Sequence, residues 1–584
     1  MRKTKIICTI GPATEDEKMI RALMENGMNV ARLNFSHGTH ETHAANIKKL
    51  KAMREKLGLP IGIMLDTKGP EIRLGTFAEG FVTLVSGDYF TLTTDDIKGT
   101  AERAHITYKE LPKDVRARDR IMIDDGLIEL RVEAVEEKDI LCKVVSGGVV
   151  SDRKSVNVPG VKLSMPFVSE QDRADLLFGI EHDVDFIAAS FSRNAMDILE
   201  IKSVLENNNG KHIQIIAKIE NQDGVNNADE IIKVADGIMV ARGDMGVEIA
   251  FEELPRIQKE LIEKCYRAGK KVITATQMLE SMVANPRPTR AEATDVANAI
   301  YDGTSAIMLS GETAVGKYPI ESLKTMSRIA ETAEDDIDYI EKFNNLEPDV
   351  ISNVTNAISH ATCMTAHDLG AAAIITVTKS GYTARMVSSF RPACPIITCA
   401  LDMPTCYKLA LSWGVLPIMS EVKGSTDELF EHAVQLALKT GLVRHGDLVA
   451  ITAGIPLGIS GTTNILKVHI VGNVLVQGEG VNGLSASGKL CVGKKDEDVI
   501  ECFEEGDILV MPRTDNTLLS IMRKASAVIT EDAGATSHAA IVGLTLQIPV
   551  ICGAQSATDI LKSGTAVTVD ATNGIVYSGI MKGV

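Results

Sequence analysis

Apolar and polar positions in the first half of the chain repeat one unit: a short apolar run, a polar or charged cluster at its end, then a helical stretch. Eight runs carry it: KIICTIG (5–11), VARLNFSHG (30–38), IGIMLDT (61–67), DFIAASFS (185–192), HIQIIAKIE (212–220), GIMVARGDMG (237–246), KVITATQML (271–279) and AIMLSGETA (306–314). Runs that are apolar at successive positions read as parallel strands buried on both faces. Eight such β-then-α units predict a TIM (β/α)8 barrel, in which functional groups converge at the C-terminal ends of the strands. A doubly wound open sheet is the competing arrangement. Polar ends recur on nearly every strand, which favours the barrel.

The spacing breaks once. Between the third and fourth runs lie more than 110 residues of short β patterns, among them FVTLVSG, YFTLTT, RIMIDDGLIELRVEAV and ILCKVVSGG. The DDG at 124–126, between apolar runs, signals a hairpin. An all-β domain inserted at the C-terminal end of a barrel strand has the position of a lid. After about residue 345 a second α/β pattern begins, with strands AAIITVT (372–378), PIITCA (395–400), DLVAITAG (447–454) and ILKVHIVG (465–472). GEGVNGLSASGK (478–489) reads as a linker, being rich in Gly and Ser. DILVMPR, AVITE, PVICG and AVTVD alternate in a last small domain, with one helix from Thr536. The predicted organisation is α/β throughout, apart from the lid. Residues 1–70 and 167–345 form the barrel, 71–166 an inserted β-barrel lid, 346–475 an α/β domain and 485–584 a small α/β extension.

Length and charge narrow the function. At 584 residues the chain exceeds what one core supports. No run of 18 apolar residues predicts a membrane span, and the apolar start is broken by Gly11-Pro12, so it reads as a first strand rather than a signal peptide. The ten cysteines are scattered with no C-x-x-C, which predicts reduced thiols in a cytoplasmic protein rather than a zinc framework. A net charge of −17 argues against nucleic acid as a partner. Anionic small molecules then require local cations.

The strand ends collect Arg32, Asn34, Ser36, Asp66, Thr67, Lys218, Glu220, Arg242, Asp244 and Thr276. Lys218 and Glu220, two apart, point to one face. Glu220 with Asp244 makes a two-carboxylate oxygen site suited to Mg2+ or Mn2+, and no His or Cys joins them as zinc would ask. Gly243 allows close backbone approach to a small ligand. Arg32 and Arg73 offer guanidinium forks for phosphate oxygens. A metal beside a lysine and two arginines is what phosphoryl transfer needs, since catalysis there is positioning and charge neutralisation. There is no Walker A motif and no protein-kinase glycine loop, so a nucleotide is expected between barrel and lid. Taken singly, each pair reads equally as an ordinary ion pair at a strand end.

RLNFSHG (32–38), LDTKGPEIR (65–73), SVNVPG (155–160), IAKIEN (216–221), VARGDMGVE (240–248) and the block from TATQMLESM to SGETAVGKYP (274–319) resemble pyruvate kinase, in the family's order, over roughly residues 1–473. The resemblance implies phosphoryl transfer from phosphoenolpyruvate to ADP, giving pyruvate and ATP, in a cytoplasmic homotetramer. It implies Glu220 and Asp244 as divalent-metal ligands and Lys218 as the lysine that stabilises the phosphoryl group. Arg32 and Arg73 become phosphate and nucleotide contacts, and Thr276 the threonine beside the protonated carbon. Backbone at Ala241, Arg242 and Gly243 holds the substrate carboxylate. Asn34, Ser36, Asp66 and Thr67 match a K+ site, with Glu71 as the family's marker of potassium dependence. Asn34, His37 and Lys154 join Arg73 as nucleotide or lid contacts. AASFSRN (188–194) and VEIAFEE (247–253) depart from the commoner family text and are expected to touch none of these ligands.

TVTKSGYTAR (376–385) follows a strand and opens a helix. Thr378, Lys379, Ser380, Gly381 and Thr383 make a phosphate cradle there, and in the family this loop receives a phosphorylated activator. The expected effector is a sugar phosphate or nucleoside monophosphate. AGIPLGISGTTN (453–464) is a second loop expected to close over it. TEDAGATSHAAIVG (530–543) resembles the phosphohistidine domain of phosphoenolpyruvate-using phosphotransferases, with His538 as the matching histidine. A fold retained for packing is the plainer reading of that extension. Phosphohistidine transfer at His538 as a second activity beside the kinase is the more serious alternative function; a metal-dependent lyase or aldolase on such a barrel is the other, but it has no use for a nucleotide lid. A sugar-phosphate sensor on a dead barrel would have lost catalytic groups that are all present here.

Overall fold

Eight parallel strands close a barrel: β1 (Lys5–Thr9), β2 (Val30–Asn34), β3 (Gly62–Asp66), β4 (Phe186–Ala189), β5 (Gln214–Ile219), β6 (Gly237–Ala241), β7 (Lys271–Ala275) and β8 (Ala306–Leu309). All eight predicted strands form, and β1 pairs with both β2 and β8 to complete the ring. In this computed structural model the described residues are 1–345, 353–454, 463–472 and 474–580. They divide into two units. The first is Met1–Asn356 with Lys379–Ala393 and Ala400–Met419, and the second is Ala357–Thr378 with Cys394–Cys399 and Ser420–Val584.

Two apolar layers explain why the strands are hydrophobic at consecutive positions. Ile7, Val30, Met64, Phe186, Ile216, Met239 and Ile273 fill the barrel interior. Their neighbours Ile6, Ile63, Ile187, Ile215, Ile238 and Val272 pack outward against the helices. The Phe186 ring reaches across to Gly62, where a Cβ would stand 2.8 Å from Cε2. Only glycine admits an aromatic ring at that layer.

The lid leaves after β3. Its strands Ile72–Arg73, Ser155–Asn157, Arg120–Ile123, Ile128–Val135, Asp139–Ser146, Tyr89–Thr93 and Arg103–His105 form one sheet in that order. Thr107 N donates to Arg73 O and Gly75 N to His105 O (2.9 and 2.8 Å), joining the two outer strands. The predicted hairpin is present: Asp124, Asp125 and Gly126 turn at φ 55°, 54° and 86° between antiparallel strands. Asp172 pins both crossings of the chain. Its Oδ1 accepts from Gly69 N where the lid begins (3.0 Å), and its Oδ2 accepts from Ser169 Oγ where the barrel resumes (2.6 Å), within a capping box that starts the helix Glu170–Glu181.

In the second unit the strands Ile396–Ala400, Ala373–Thr378, Leu448–Gly454 and Thr463–Ile470 lie side by side. Residues 455–462 of the loop expected to close over an effector lie outside the described residues. The C-terminal sheet corrects one expectation. The segment read as a linker contains the strands Glu479–Gly480 and Ser485–Val492, and the latter lies inside the sheet between Ala566–Asp570 and Ile508–Met511. Its glycines serve close packing rather than flexibility. A Cβ on Gly480 would lie 1.8 Å from Ala571 O.

Candidate active site

Lys218 is the hub of the strand-end cluster. Its Nζ lies 3.1 Å from Asp66 Oδ1 and 3.0 Å from Glu220 Oε1, and it donates to Ser190 Oγ at 2.7 Å. On the far side of Asp66, Arg32 Nε donates to Oδ2 at 2.5 Å and its Nη1 to Thr9 Oγ1 at 2.9 Å. Lys218, Asp66 and Glu220 are all buried. Burial alone would lift Asp66, but Arg32 and Lys218 outweigh it and hold the carboxyl below its ordinary 3.8.

Glu220 and Asp244 behave differently. Burial lifts Glu220 to about 7 against the pull of Lys218, with Asp244 adding to the lift. Burial also raises Asp244, opposed by Lys218 and reinforced by Asp125. Glu220 Oε2 accepts from Phe191 N at 2.7 Å, while its buried Oε1 faces Lys218 without the angle of a hydrogen bond. Two neighbouring carboxylates, both penalised for their charge, with an acceptor oxygen left over, fit a divalent cation. Oxygen-only donors suit Mg2+ or Mn2+. Among the described residues no group of three His, Cys, Asp or Glu gathers as a metal site, here or elsewhere, so the protein would supply two carboxylates and other oxygens would complete the shell.

Thr276 stands beside this pair in the left-handed region, at φ 66°, followed by Gln277 at 53°. A β-branched residue there is strained by roughly 1–3 kcal/mol. Its backbone is held by Arg242, which donates Nη2 to Thr276 O at 2.7 Å and Nη1 to Asp295 at 2.6 and 2.8 Å. The Arg242 side chain therefore clamps the Thr276 turn. Gly243 N donates to Thr276 Oγ1, and a Cβ on Gly243 would meet Thr276 Oγ1 at 3.5 Å, an ordinary contact rather than a clash.

Asn34 Oδ1 accepts from Ser36 N at 3.1 Å. Thr67 joins through Ser190, whose N–H donates to Thr67 Oγ1 (3.2 Å) and whose Oγ lies near Thr67 O (2.7 Å) and Asp66 Oδ1 (3.2 Å). Arg73 is engaged: Nε and Nη2 both donate to Glu71 at 2.8 Å. Lys154 Nζ bonds Asp124 Oδ1 at 2.7 Å. His37, Glu71, Arg73, Asp124, Lys154 and Asp244 line one cleft of about 390 Å3 between lid and barrel. Asn157 of the lid reaches Glu248 of the barrel at 3.3 Å.

One expectation changes here. The segment 188–194 was expected to touch no ligand, yet Ser190 contacts Lys218, Asp66 and Thr67, and Phe191 N, at φ 55°, holds Glu220. Glu248, in the second divergent segment, borders the cleft. Ser190 went unread because a serine at a strand end resembles any other; its position on the polar end of β4 was the available signal. Thr378 ends its strand, and Gly381 at φ 76° caps the helix Tyr382–Ser389, with Lys379 O accepting from Thr405 Oγ1. His538 opens the helix His538–Leu546, its Nδ1 3.0 Å from Thr514 Oγ1 and its Nε2 3.2 Å from Asn516 Oδ1.

The model of the pyruvate kinase barrel domain matches residues 1–323, that of the pyruvate kinase alpha/beta domain 356–469, and that of the PEP-utilising enzyme mobile domain 503–574. The chain is 50% identical to pyruvate kinases of Bacillus licheniformis, over 581 residues, and Geobacillus stearothermophilus, over 580, with 99% of each chain covered. A crystal structure of a pyruvate kinase from Cryptosporidium parvum superposes with a TM-score of 0.76 at 39% identity, covering 80% of this chain and 96% of that one. With the barrel, the lid cleft and the Lys218–Glu220–Asp244 cluster in place, the chain belongs to the pyruvate kinase family.

Proposed function

We propose that this chain transfers the phosphoryl group of phosphoenolpyruvate to ADP at the strand-end cluster, in the cytoplasm and as a homotetramer. The observation that carries the reading is Lys218 Nζ held between Asp66 and Glu220, 3.1 and 3.0 Å away. Glu220 and Asp244 would hold Mg2+ or Mn2+, which would supply positive charge to the transferring oxygens. Lys218 lies within the same cluster and remains protonated, because Asp66 and Glu220 outweigh its burial. It neutralises charge on the phosphoryl oxygens and then on the enolate of pyruvate. Thr276 Oγ1 and the backbone at Ala241–Gly243 orient the substrate carboxylate and the carbon that receives a proton. Arg32 presents its guanidinium to phosphate from the Asp66 side.

The nucleotide lies in the lid cleft against His37, Asn34, Arg73 and Lys154. Asn34, Ser36, Asp66 and Thr67 would hold K+, and Glu71, paired with Arg73, marks the chain as potassium-dependent. Pyruvate formation with Mg2+, with and without ADP, in K+ and then in Na+, tests this. Activity requiring ADP and K+ is expected. Turnover without ADP would reject the transfer, and full activity in Na+ would reject the monovalent site.

The loop of Thr378, Lys379, Ser380, Gly381 and Thr383 is the proposed seat of a phosphorylated activator. Lys379→Glu is expected to abolish activation while leaving unactivated turnover in place. A second activity at His538 is favoured by its placement at a helix start. Acid-labile phosphate on the chain after incubation with phosphoenolpyruvate, absent in His538→Ala, tests it.

A further inference from the structure

A cavity of about 960 Å3 in the first unit opens on the opposite face of the barrel from the catalytic cluster. Asp236, Lys271 and Ser305 mark the place, at the N-terminal ends of β6, β7 and β8. The helix Tyr382–Ser389 supplies the other wall through Tyr382, Arg385, Met386 and Ser389, one face at helical spacing. Seven Lys and Arg side chains line it against two aspartates, so it concentrates positive charge in a chain of net charge −17.

Four of these cations make their hydrogen bonds to neutral oxygens. Lys270 donates to Ala235 O (2.6 Å), Lys271 to Gln214 Oε1 (2.7 Å), Arg385 to Ser380 O (3.2 Å) and Arg391 to Gly303 O (2.9 Å). Asp229, one of the two aspartates, already pairs with Lys264 at 2.9 Å. Burial and, next, Arg385 depress Lys271 to about 7. Asp236, the other aspartate, attracts Lys270, Lys271 and Arg385 but makes no ion pair with them among the described residues. Three cations sharing one carboxylate are relieved further by an anion, and guanidinium forks favour phosphate oxygens. The volume exceeds what a phosphate ion needs and falls in the range of small-molecule sites.

We infer that this cavity is a second ligand site, for a phosphorylated small metabolite: its phosphate lies on Lys270, Lys271, Arg385 and Arg391, and its neutral polyol portion fills the remaining space. Because Arg385 holds Ser380 O, a ligand here acts on the same helix whose start carries Lys379. The site is separate from that loop in its residues and in the face of the helix it uses.

The chain carries its own reporter. Trp413 is its single tryptophan, lines this cavity and lies under the Arg391 guanidinium at 4.6 Å. Full-length protein is titrated with glycerol 3-phosphate, inorganic phosphate and glycerol while Trp413 fluorescence is followed. A saturable change with glycerol 3-phosphate and none with glycerol is expected. Arg385→Gln and Lys270→Gln are each expected to weaken the midpoint by about tenfold or more, and Lys379→Glu to preserve it. Two variants are used so that misfolding of one leaves the other to decide. No saturable change, unaltered midpoints in both cavity variants, or loss confined to Lys379→Glu would overturn the site. Binding of inorganic phosphate without glycerol 3-phosphate would reject the organic ligand.

Discussion

Gly243 N donates to Thr276 Oγ1 at 2.8 Å, while Thr276 itself is held at φ 66°. A strained residue whose hydroxyl is aimed by a backbone N–H is a positioned group rather than a packing one. Thr276→Ala is expected to lower kcat by about 10²-fold, and Thr276→Ser to stay within about tenfold of wild type. Steady-state pyruvate formation measures both. Equal losses in the two variants would show that the methyl group, not the hydroxyl, matters.

Glu220 is expected to trade stability for function. Its folded-state pKa is raised from 4.5 to about 7, so its contribution to stability declines as pH rises from 4.5 to 7. At pH 8 without divalent metal, Glu220→Gln is expected to be more stable by on the order of 1 kcal/mol. The same variant is expected to lose about 10²-fold or more in activity and to need more Mg2+ for half-maximal rate. Thermal unfolding and a Mg2+ titration check the two arms. A destabilised Glu220→Gln would mean that its partners outweigh its burial.

Lys5, at the start of β1, donates to Val415 O at 2.7 Å, and burial, with Arg2 adding, depresses it from 10.5 to about 7. Between those values the unfolded chain binds more protons than the folded one, so this group makes stability rise with pH from 7 to 10. Lys5→Met removes that slope. The stability of Lys5→Met relative to wild type is therefore expected to fall by on the order of 1 kcal/mol per pH unit across the window. Urea unfolding at several pH values gives the comparison, and parallel curves would contradict it.

Asp172, tying Gly69 to Ser169, is expected to govern lid mobility. Asp172→Ala removes the capping box and leaves the buried Gly69 N–H without its acceptor, at a cost of about 1–3 kcal/mol. Faster amide exchange at both lid crossings, with a raised KM for ADP, is expected. Exchange that is unchanged at Gly69 would show that another contact holds the hinge.

Much of the site was legible because its residues sit at fixed places on a repeating unit. Lys218 and Glu220 share a face by strand geometry, whereas Asp244, read as the end of the next strand, lies just past it in the helix Arg242–Glu248. Ser190 and the Phe191 N–H were not legible, since their importance comes from partners 28 and 29 residues away. The 478–489 segment was misread because glycine signals flexibility and close packing alike. Gly480 is required by the Ala571 carbonyl, and local sequence holds no trace of that contact.

Periodicity and short-range order were settled by the chain itself: eight buried strands, an inserted lid, a DDG hairpin and carboxylates at strand ends follow from local pattern and steric rules. Tertiary structure alone decided which charges are compensated. Arg73 is paired with Glu71 and Arg242 with Asp295, while Glu220 is left carrying a burial penalty and Lys270, Lys271, Arg385 and Arg391 share a cavity. The reason is physical. Secondary structure depends on neighbours in sequence, whereas the energy of a charge depends on every dipole, charge and solvent boundary around it in space.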